Sequence, residues 1–359
     1  MTTQPLRIAM LAPPWIPVPA PAYGGIEEVV RLLCGGLVAA GHHVTLFAPP
    51  GSDSDADVVP VLEEPHPDEI QTARIEADHV ARAFAAIDAA RAAGEPFDVV
   101  HDHTGHVALA MADRLATPMV HTLHGPFDDD ACLFYEEHGR KARIVAISQS
   151  QLDDAPPRMG GGSVVHNPID VGEWPCEAAK DDYLLWVGRM SPDKGPHRAI
   201  AAAREAGARL VLAGPVQPGQ EEFFAQEVEP RLGDGVEYVG EADAARKREL
   251  YKHARGLLMP IRWPEPFGLV MVEALACGTP VIAFPEGSAP EVVQDGETGF
   301  VVDDEHAMAA AVGRLGELDP ATCRRSCEER FGVESVVAGY VDVYRSVITD
   351  SAGRDSLVA

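Results

Sequence analysis

Short β-rich runs alternate with stretches of helical period along almost the whole chain, and this alternation narrows the fold more than any other feature. In the first half the candidate strands are Arg7–Leu11, Val44–Phe47, Val99–His101, Met119–Thr122 and Arg143–Ala146. Between them lie helical patterns at Ile26–Ala40, Ile70–Ala93, His106–Leu115 and Cys132–Arg140. Parallel strands need a crossover and a helix supplies it, so the pattern implies a parallel sheet covered by helices on both faces. The acidic, proline-containing stretch Gly51–Glu69 reads as a solvated loop.

A break falls at Gly160-Gly161-Gly162, followed by Val164-Val165-His166-Asn167-Pro168. Punctuation of this kind predicts a linker and hinge. The pattern then restarts, with strands expected at Tyr183–Val187, Arg209–Ala213, Val236–Val239, Gly256–Met259, Pro280–Ala283 and Gly299–Val301. Helices close the chain at Ala307–Glu317, Ala321–Arg330 and Glu334–Ile348. A chain of 359 residues suits two domains better than one. The expectation is α/β, with two Rossmann-like, doubly wound parallel-sheet lobes at 1–168 and 169–333. The terminal helix, about 334–350, is free to pack back on the first lobe. In such sheets ligands bind beyond the carboxyl ends of strands, where loops and helix N-termini point amides outward. The strand-to-helix turns are therefore where chemistry is expected.

The most informative turn follows the strand ending at Met259. It runs Pro264-Glu265-Pro266-Phe267-Gly268-Leu269-Val270-Met271-Val272-Glu273-Ala274-Leu275-Ala276-Cys277-Gly278-Thr279-Pro280. The two prolines keep Glu265 out of a helix interior. A helix should begin near Gly268 and end at Gly278, and the amides of Gly268, Leu269 and Val270 then form an anion site. Glu273 stands roughly 7.5 Å further along the axis. Either both acids are surface residues of an ordinary helix, or they hold the two ends of a ligand with a diphosphate between. The sequence resembles the signature of the retaining glycosyltransferases of family four, which have the GT-B fold. That resemblance implies two lobes facing across a cleft, with Glu265 on the donor sugar's hydroxyls and Glu273 on the nucleotide ribose.

Other elements carry the resemblance along nearly the whole chain. Gly188-Arg189-Met190-Ser191-Pro192-Asp193-Lys194-Gly195 reads either as a loop with two exposed cations or as a phosphate clamp, and it resembles the family's clamp. Ala22-Tyr23-Gly24-Gly25-Ile26-Glu27 resembles the first-lobe glycine loop, which implies that Gly24 and Gly25 face the donor phosphate. A lone Gly-Gly is otherwise a simple turn, and the absence of GxGxxG argues against a dehydrogenase. His101-Asp102-His103 and His121-Thr122-Leu123-His124-Gly125 resemble two further family elements, placing His124 on the donor sugar and His103 on the acceptor side, with His101 and His121 structural. Alternation along a strand end suits these triplets better than a ligand cage, so no metal is expected, and Asp53, Asp55 and Asp57 are discounted as an Asp-x-Asp metal motif. Pro285-Glu286-Gly287-Ser288-Ala289-Pro290-Glu291 matches the loop near the sugar but departs from the usual Gly-Gly, which leaves the details of that contact open.

Composition limits the partners. The net charge is −27 and evenly spread: residues 1–165 hold 10 basic and 23 acidic residues, a balance of −13. No basic stripe offers itself to nucleic acid or to an anionic membrane. Six scattered cysteines read as reduced and structural. No signal peptide or membrane-length apolar run is apparent, so a cytoplasmic protein is expected. The resemblance implies transfer of a sugar, with retention, from a nucleotide diphosphate sugar to a hydroxyl. A UDP-sugar, a small soluble acceptor and no cofactor are favoured. Arg189 and Lys194 would stabilise the leaving diphosphate, with His124 and Glu265 on the sugar and Phe267, Gly268, Leu269, Val270 and Glu273 on the rest of the donor. The alternatives are a nucleotide-sugar epimerase or a sugar phosphorylase on the same fold, or a non-catalytic sugar-nucleotide binding protein.

Overall fold

The computed structural model describes residues 4–21, 24–70 and 72–358. The chain forms two compact units, one of Met1–Pro168 with Val333–Ala359, the other of Ile169–Gly332. The first unit contains β1 (Arg7–Leu11), α1 (Gly25–Ala39), β2 (His43–Ala48), β3 (Asp57–Pro60), α2 (Ala73–Ala92), β4 (Val99–Asp102), α3 (His106–Ala110), β5 (Met119–Leu123), α4 (Asp129–His138), β6 (Arg143–Ala146), α5 (Gln149–Asp153) and β7 (Gly162–Val164). All its strands run parallel in the order β3-β2-β1-β4-β5-β6-β7. The second unit contains β8 (Leu184–Val187), α6 (Pro196–Glu205), β9 (Leu210–Ala213), α7 (Glu221–Phe223), β10 (Val236–Tyr238), α8 (Ala244–His253), β11 (Gly256–Met259), α9 (Leu269–Ala276), β12 (Val281–Ala283), α10 (Ala289–Val292), β13 (Gly299–Val301), α11 (Glu305–Val312) and α12 (Pro320–Phe331). Its parallel order is β10-β9-β8-β11-β12-β13. The last helix, α13 (Val333–Val358), belongs to the first unit.

Both sheets reverse direction of growth once, between β1 and β4 and between β8 and β11. Loops leaving two strands at such a reversal diverge to opposite faces and open a crevice at their carboxyl ends. Each sheet is buried on both faces, which explains its nearly continuous apolar strands. On one face of the first sheet α1 contributes Val30, Leu33 and Leu37, and α13 contributes Val336, Tyr340 and Tyr344. On the other, α2 contributes Val80, Phe84 and Ile87.

Two expectations need correction. Gly51–Glu69 is not wholly a loop: Asp57–Pro60 pairs in parallel with β2 at the sheet edge. Four residues, opened by an acid and closed by a proline, are too short to show alternation, and an edge strand tolerates both. Gly162, read as part of the linker, instead begins β7 at the opposite edge, joined to β6 through its backbone. Helix limits also moved. The helix expected to start at Cys132 starts at Asp129, because the Asp128 side chain accepts a hydrogen bond from the Ala131 amide at 2.8 Å and caps it. The helix expected over His106–Leu115 ends at Ala110 and gives way to a 3₁₀ turn, Ala112–Arg114.

One buried group makes stability depend on pH. His79, on the inner face of α2, is fully buried, and burial pushes its imidazole down to about 4, against the opposing pull of Asp102. An unfolded histidine titrates near 6.5. Between about 4 and 6.5 the unfolded chain therefore binds the extra proton, so this contribution to stability is lost as pH falls through that window. His79→Gln should flatten the slope of unfolding free energy against pH between 6.5 and 4.5 relative to the wild type. Urea titrations at several pH values measure it, and equal slopes would refute the assignment.

Candidate active site

The crevice of the second sheet is lined by the turns that leave β8 and β11. After β8, the chain turns through Gly188–Gly195 into α6. The turn is stapled: the Trp186 indole N–H donates to the Lys194 carbonyl at 3.2 Å, and Arg198 donates twice to the Pro192 carbonyl, at 2.8 and 3.0 Å. The Arg262 amide donates to the Asp193 carbonyl at 2.9 Å, which ties this turn to the one after β11. Lys194 is held inward. Its ammonium lies 4.4 Å from the centre of the Trp263 ring and is ion-paired with Glu265. The Trp263 indole donates to the same Glu265 Oε2 at 3.0 Å. One carboxylate oxygen thus serves two donors from the protein.

Arg189 behaves differently. Its side chain is 45% exposed and faces Asp193 at 3.8 Å. An exposed pair of this kind contributes about 0–1 kcal/mol. The turn therefore brings Lys194 to Glu265 and leaves Arg189 at the rim.

The loop carrying Glu265 is itself gripped by the loop after β12. The Ser288 amide donates to the Glu265 carbonyl at 3.0 Å, and the Ser288 hydroxyl donates to the Phe267 carbonyl at 2.7 Å. Gly287 sits between them with φ +54°, and a Cβ there would fall 2.4 Å from both the amide nitrogen and the carbonyl oxygen of Glu265. Phe267 turns its ring into the core, edge-on to Phe331 with centroids 5.6 Å apart, so only its backbone remains for a ligand. Gly268, left-handed at φ +75°, caps α9 and starts the helix at Leu269. Amides in the first turn of a helix have no intrahelical acceptor.

Glu273, on α9, is 9% exposed. Its Oε1 accepts from Lys247 at 2.7 Å, while its Oε2 is buried with no hydrogen bond among the described residues. Lys247 and Trp263 were missed at the sequence level, where each reads as an ordinary surface residue of a helix or loop.

In the first unit His101 and His121, in β4 and β5, and His103, just past β4, are buried, while His124, just past β5, is half-buried. His103 Nδ1 and His124 Nε2 are 2.9 Å apart. Burial pushes His124 down to about 3, with a smaller push from His121. His103, also lowered by burial, is 1% exposed and presents almost no surface of its own. His101 lies 2.6 Å from the Tyr344 hydroxyl and 2.8 Å from that of Thr122. His121 donates through Nδ1 to Asp102 at 2.6 Å, with the Tyr135 hydroxyl 2.7 Å from Nε2. Gly24 is the N-cap of α1 and Gly25 its first residue; Ala22 and Tyr23 lie outside the described residues. Among the described residues, no group of three or more His, Cys, Asp or Glu side chains could hold a metal ion. No described helix is long and apolar enough to cross a membrane.

Comparison with known proteins agrees with this geometry. The family model "Glycosyltransferase Family 4" matches residues 23–173, and "Glycosyl transferases group 1" matches residues 176–328. A glycogen synthase of Mycobacterium tuberculosis is 28% identical over 376 residues, covering 89% of this chain and 88% of that protein. A D-inositol 3-phosphate glycosyltransferase of Acidothermus cellulolyticus is 28% identical over 421 residues, covering 96% and 91%. Among solved structures, AviGT4, a glycosyltransferase involved in avilamycin A biosynthesis, aligns with a TM-score of 0.74 at 28% identity, over 96% of this chain and 98% of that one. Anabaena HepE in complex with UDP and glucose aligns at 0.70 and 20% identity, over 95% and 100%, a likeness of fold. With two adjoining family models covering both sheets, and the signature turn standing at the crevice of the second, the chain belongs to the glycosyltransferases of family four and has their GT-B fold.

Proposed function

We propose that this enzyme transfers a sugar, with retention at the anomeric carbon, from a nucleotide diphosphate sugar to a hydroxyl of a small soluble acceptor in the cytoplasm. The observation that carries the reading is the convergence of Lys194 and Glu265 at the point where the second sheet reverses. A cation and a carboxylate meet there beside the start of α9, which suits a phosphate next to a sugar. In this reading Lys194, Arg189 and the first amides of α9, at Gly268, Leu269 and Val270, meet the negative charge that develops on the leaving diphosphate. Glu265 accepts hydrogen bonds from sugar hydroxyls, and the buried Oε2 of Glu273 accepts from the ribose. In the first unit, His124 is assigned to the donor sugar, His103 to the acceptor side, and the Gly24–Gly25 turn to the donor phosphate. His124 is neutral at assay pH and so acts as a hydrogen-bonding group, not as a cation. The even acidity of the first unit supports an uncharged or cationic soluble acceptor over a membrane surface.

The complex of HepE with UDP and glucose supports UDP as the first nucleotide to try. The test incubates the enzyme with UDP-sugars and small polyols or glycosides, and reads the new anomeric bond by proton NMR. A product of inverted configuration would refute retention. Interconversion of the donor alone would favour an epimerase, and dependence on inorganic phosphate a phosphorylase. Binding of the donor with neither transfer nor hydrolysis would leave a non-catalytic binding protein. Activity is expected to persist in EDTA, since charge on the leaving group is met by side chains and amides. Loss on chelation, restored by one divalent ion, would overturn the metal-independent reading.

A further inference from the structure

The ion pair between Lys247 and Glu273 has a second side. Lys247 lies in the first turn of α8, its ammonium 2.7 Å from Glu273 Oε1 and 5.5 Å from the centre of the Trp174 ring. Arg248, next on the helix, lies 5.6 Å from the same indole and pairs with Glu173 at 2.8 Å. The lysine is therefore seated beside an aromatic plane that is itself packed edge-on to Tyr251, with ring centroids 5.8 Å apart. It is only 25% exposed in the side chain, and its acid partner 11%. A carboxylate so buried is costly unless its oxygens are paired. Lys247 satisfies one of them. The other, Oε2, is buried and has no donor among the described residues, so it is left to accept from a donor that reaches it from the ligand side. A cis-diol supplies two hydroxyl donors to one carboxylate oxygen with two lone pairs.

We propose that Lys247 is a positioning residue of the nucleotide site: by occupying Oε1 it aims Oε2 at the ribose diol and so sets the preference for ribose over deoxyribose. The inference rests on the reading of Glu273 as the ribose residue. It predicts that the strength of that discrimination depends on a side chain that does not itself touch the nucleotide.

Calorimetry with UDP and 2′-deoxy-UDP tests it on the full chain. Wild type should bind UDP roughly tenfold or more tightly than the deoxy compound, the scale of a hydrogen bond to a charged group. Lys247→Met should weaken UDP binding by about tenfold and bring the ratio of the two affinities close to one, with Lys247→Arg retaining most of the ratio. Arg248→Met, on the same indole, should leave the ratio unchanged. If Lys247→Met keeps the wild-type ratio while Glu273→Gln loses it, Lys247 has no such role and the ribose reading stands. If Arg248→Met lowers the ratio as far as Lys247→Met does, the effect is packing of α8 and the proposal is overturned. A Glu273→Gln variant that binds both compounds as wild type does overturns the ribose reading, and the proposal with it. If wild type binds neither compound, GDP and ADP are tried with their 2′-deoxy counterparts, and failure of all three overturns both.

Discussion

Lys194→Ala should lower kcat/KM by about 2–4 kcal/mol of transition-state stabilisation, a fall of roughly thirtyfold to a thousandfold, as loss of a preorganised electrostatic contact does. The argument starts from two observations. The ammonium is largely buried against Trp263, and it shares Glu265 Oε2 with that residue's indole N–H. Removing it takes away the cation assigned to the leaving phosphate, and it leaves the carboxylate assigned to the sugar with one protein donor in place of two. Two functions fail together, so the Lys194→Ala/Glu265→Ala double variant should lose less than the sum of the singles. Arg189→Ala should cost less than Lys194→Ala, because Arg189 is half exposed and its partner Asp193 is 3.8 Å away. Steady-state kinetics on these four variants and the wild type decide it: a Lys194→Ala enzyme within threefold of wild type would end the clamp assignment.

Gly287→Ala should reduce turnover by about two orders of magnitude, the scale on which a misplacement of about 1 Å acts. Its Cβ would fall 2.4 Å from the backbone of Glu265, so one of the two loops must shift, and the expected result is a displaced Glu265. A left-handed φ adds a penalty of roughly 1 kcal/mol for any residue with a Cβ. Gly296→Ala separates the two effects. It has φ +77° and nothing within 4 Å of its would-be Cβ, so it carries the strain without the collision. Gly287→Ala should therefore lose more melting temperature than Gly296→Ala, and, assayed where both remain folded, far more activity. It should retain binding of free UDP, which in the proposed reading is held through Glu273. Equal activities in the two variants would remove Gly287 from the positioning of Glu265.

Much of this arrangement can be read before any coordinates. The strands of the second unit are short apolar runs between Gly and Pro, and Gly256–Met259 and Gly299–Val301 fall where that punctuation puts them. The spacing from Glu265 to Glu273 identifies the turn, because prolines and a glycine leave few conformations open to it. What could not be read depends on distance along the chain. Lys247 meets Glu273 across 26 residues, and Lys194 meets Glu265 across 71. No local periodicity marks such pairs. Trp263 is silent for the same reason: in sequence it is an aromatic residue in a loop, and its function comes from the lysine that the β8 turn lays on its face. The edge strands β3 and β7 escaped because they carry no buried apolar run: Asp57 and Pro60 bound the one, Gly162 and Ser163 open the other, and an edge strand tolerates such residues.

The return of α13 to the first unit has a consequence for how the protein is made. Residues 169–332 are an insertion in the first unit, and its two ends are tied together where the Ile169 amide donates to the Phe331 carbonyl at 2.9 Å. On the ribosome, the seven strands of the first sheet emerge well before the helix that supplies Tyr340 and Tyr344 to their core and a hydroxyl to His101. The second unit is contiguous, so it can complete its own core first, reversing the usual order in which the amino-terminal domain leads. Until translation passes Tyr344, the nascent first unit leaves apolar residues of α1 uncovered and His101 with the Thr122 hydroxyl as partner but without that of Tyr344, so its core can close only after the second unit has been made.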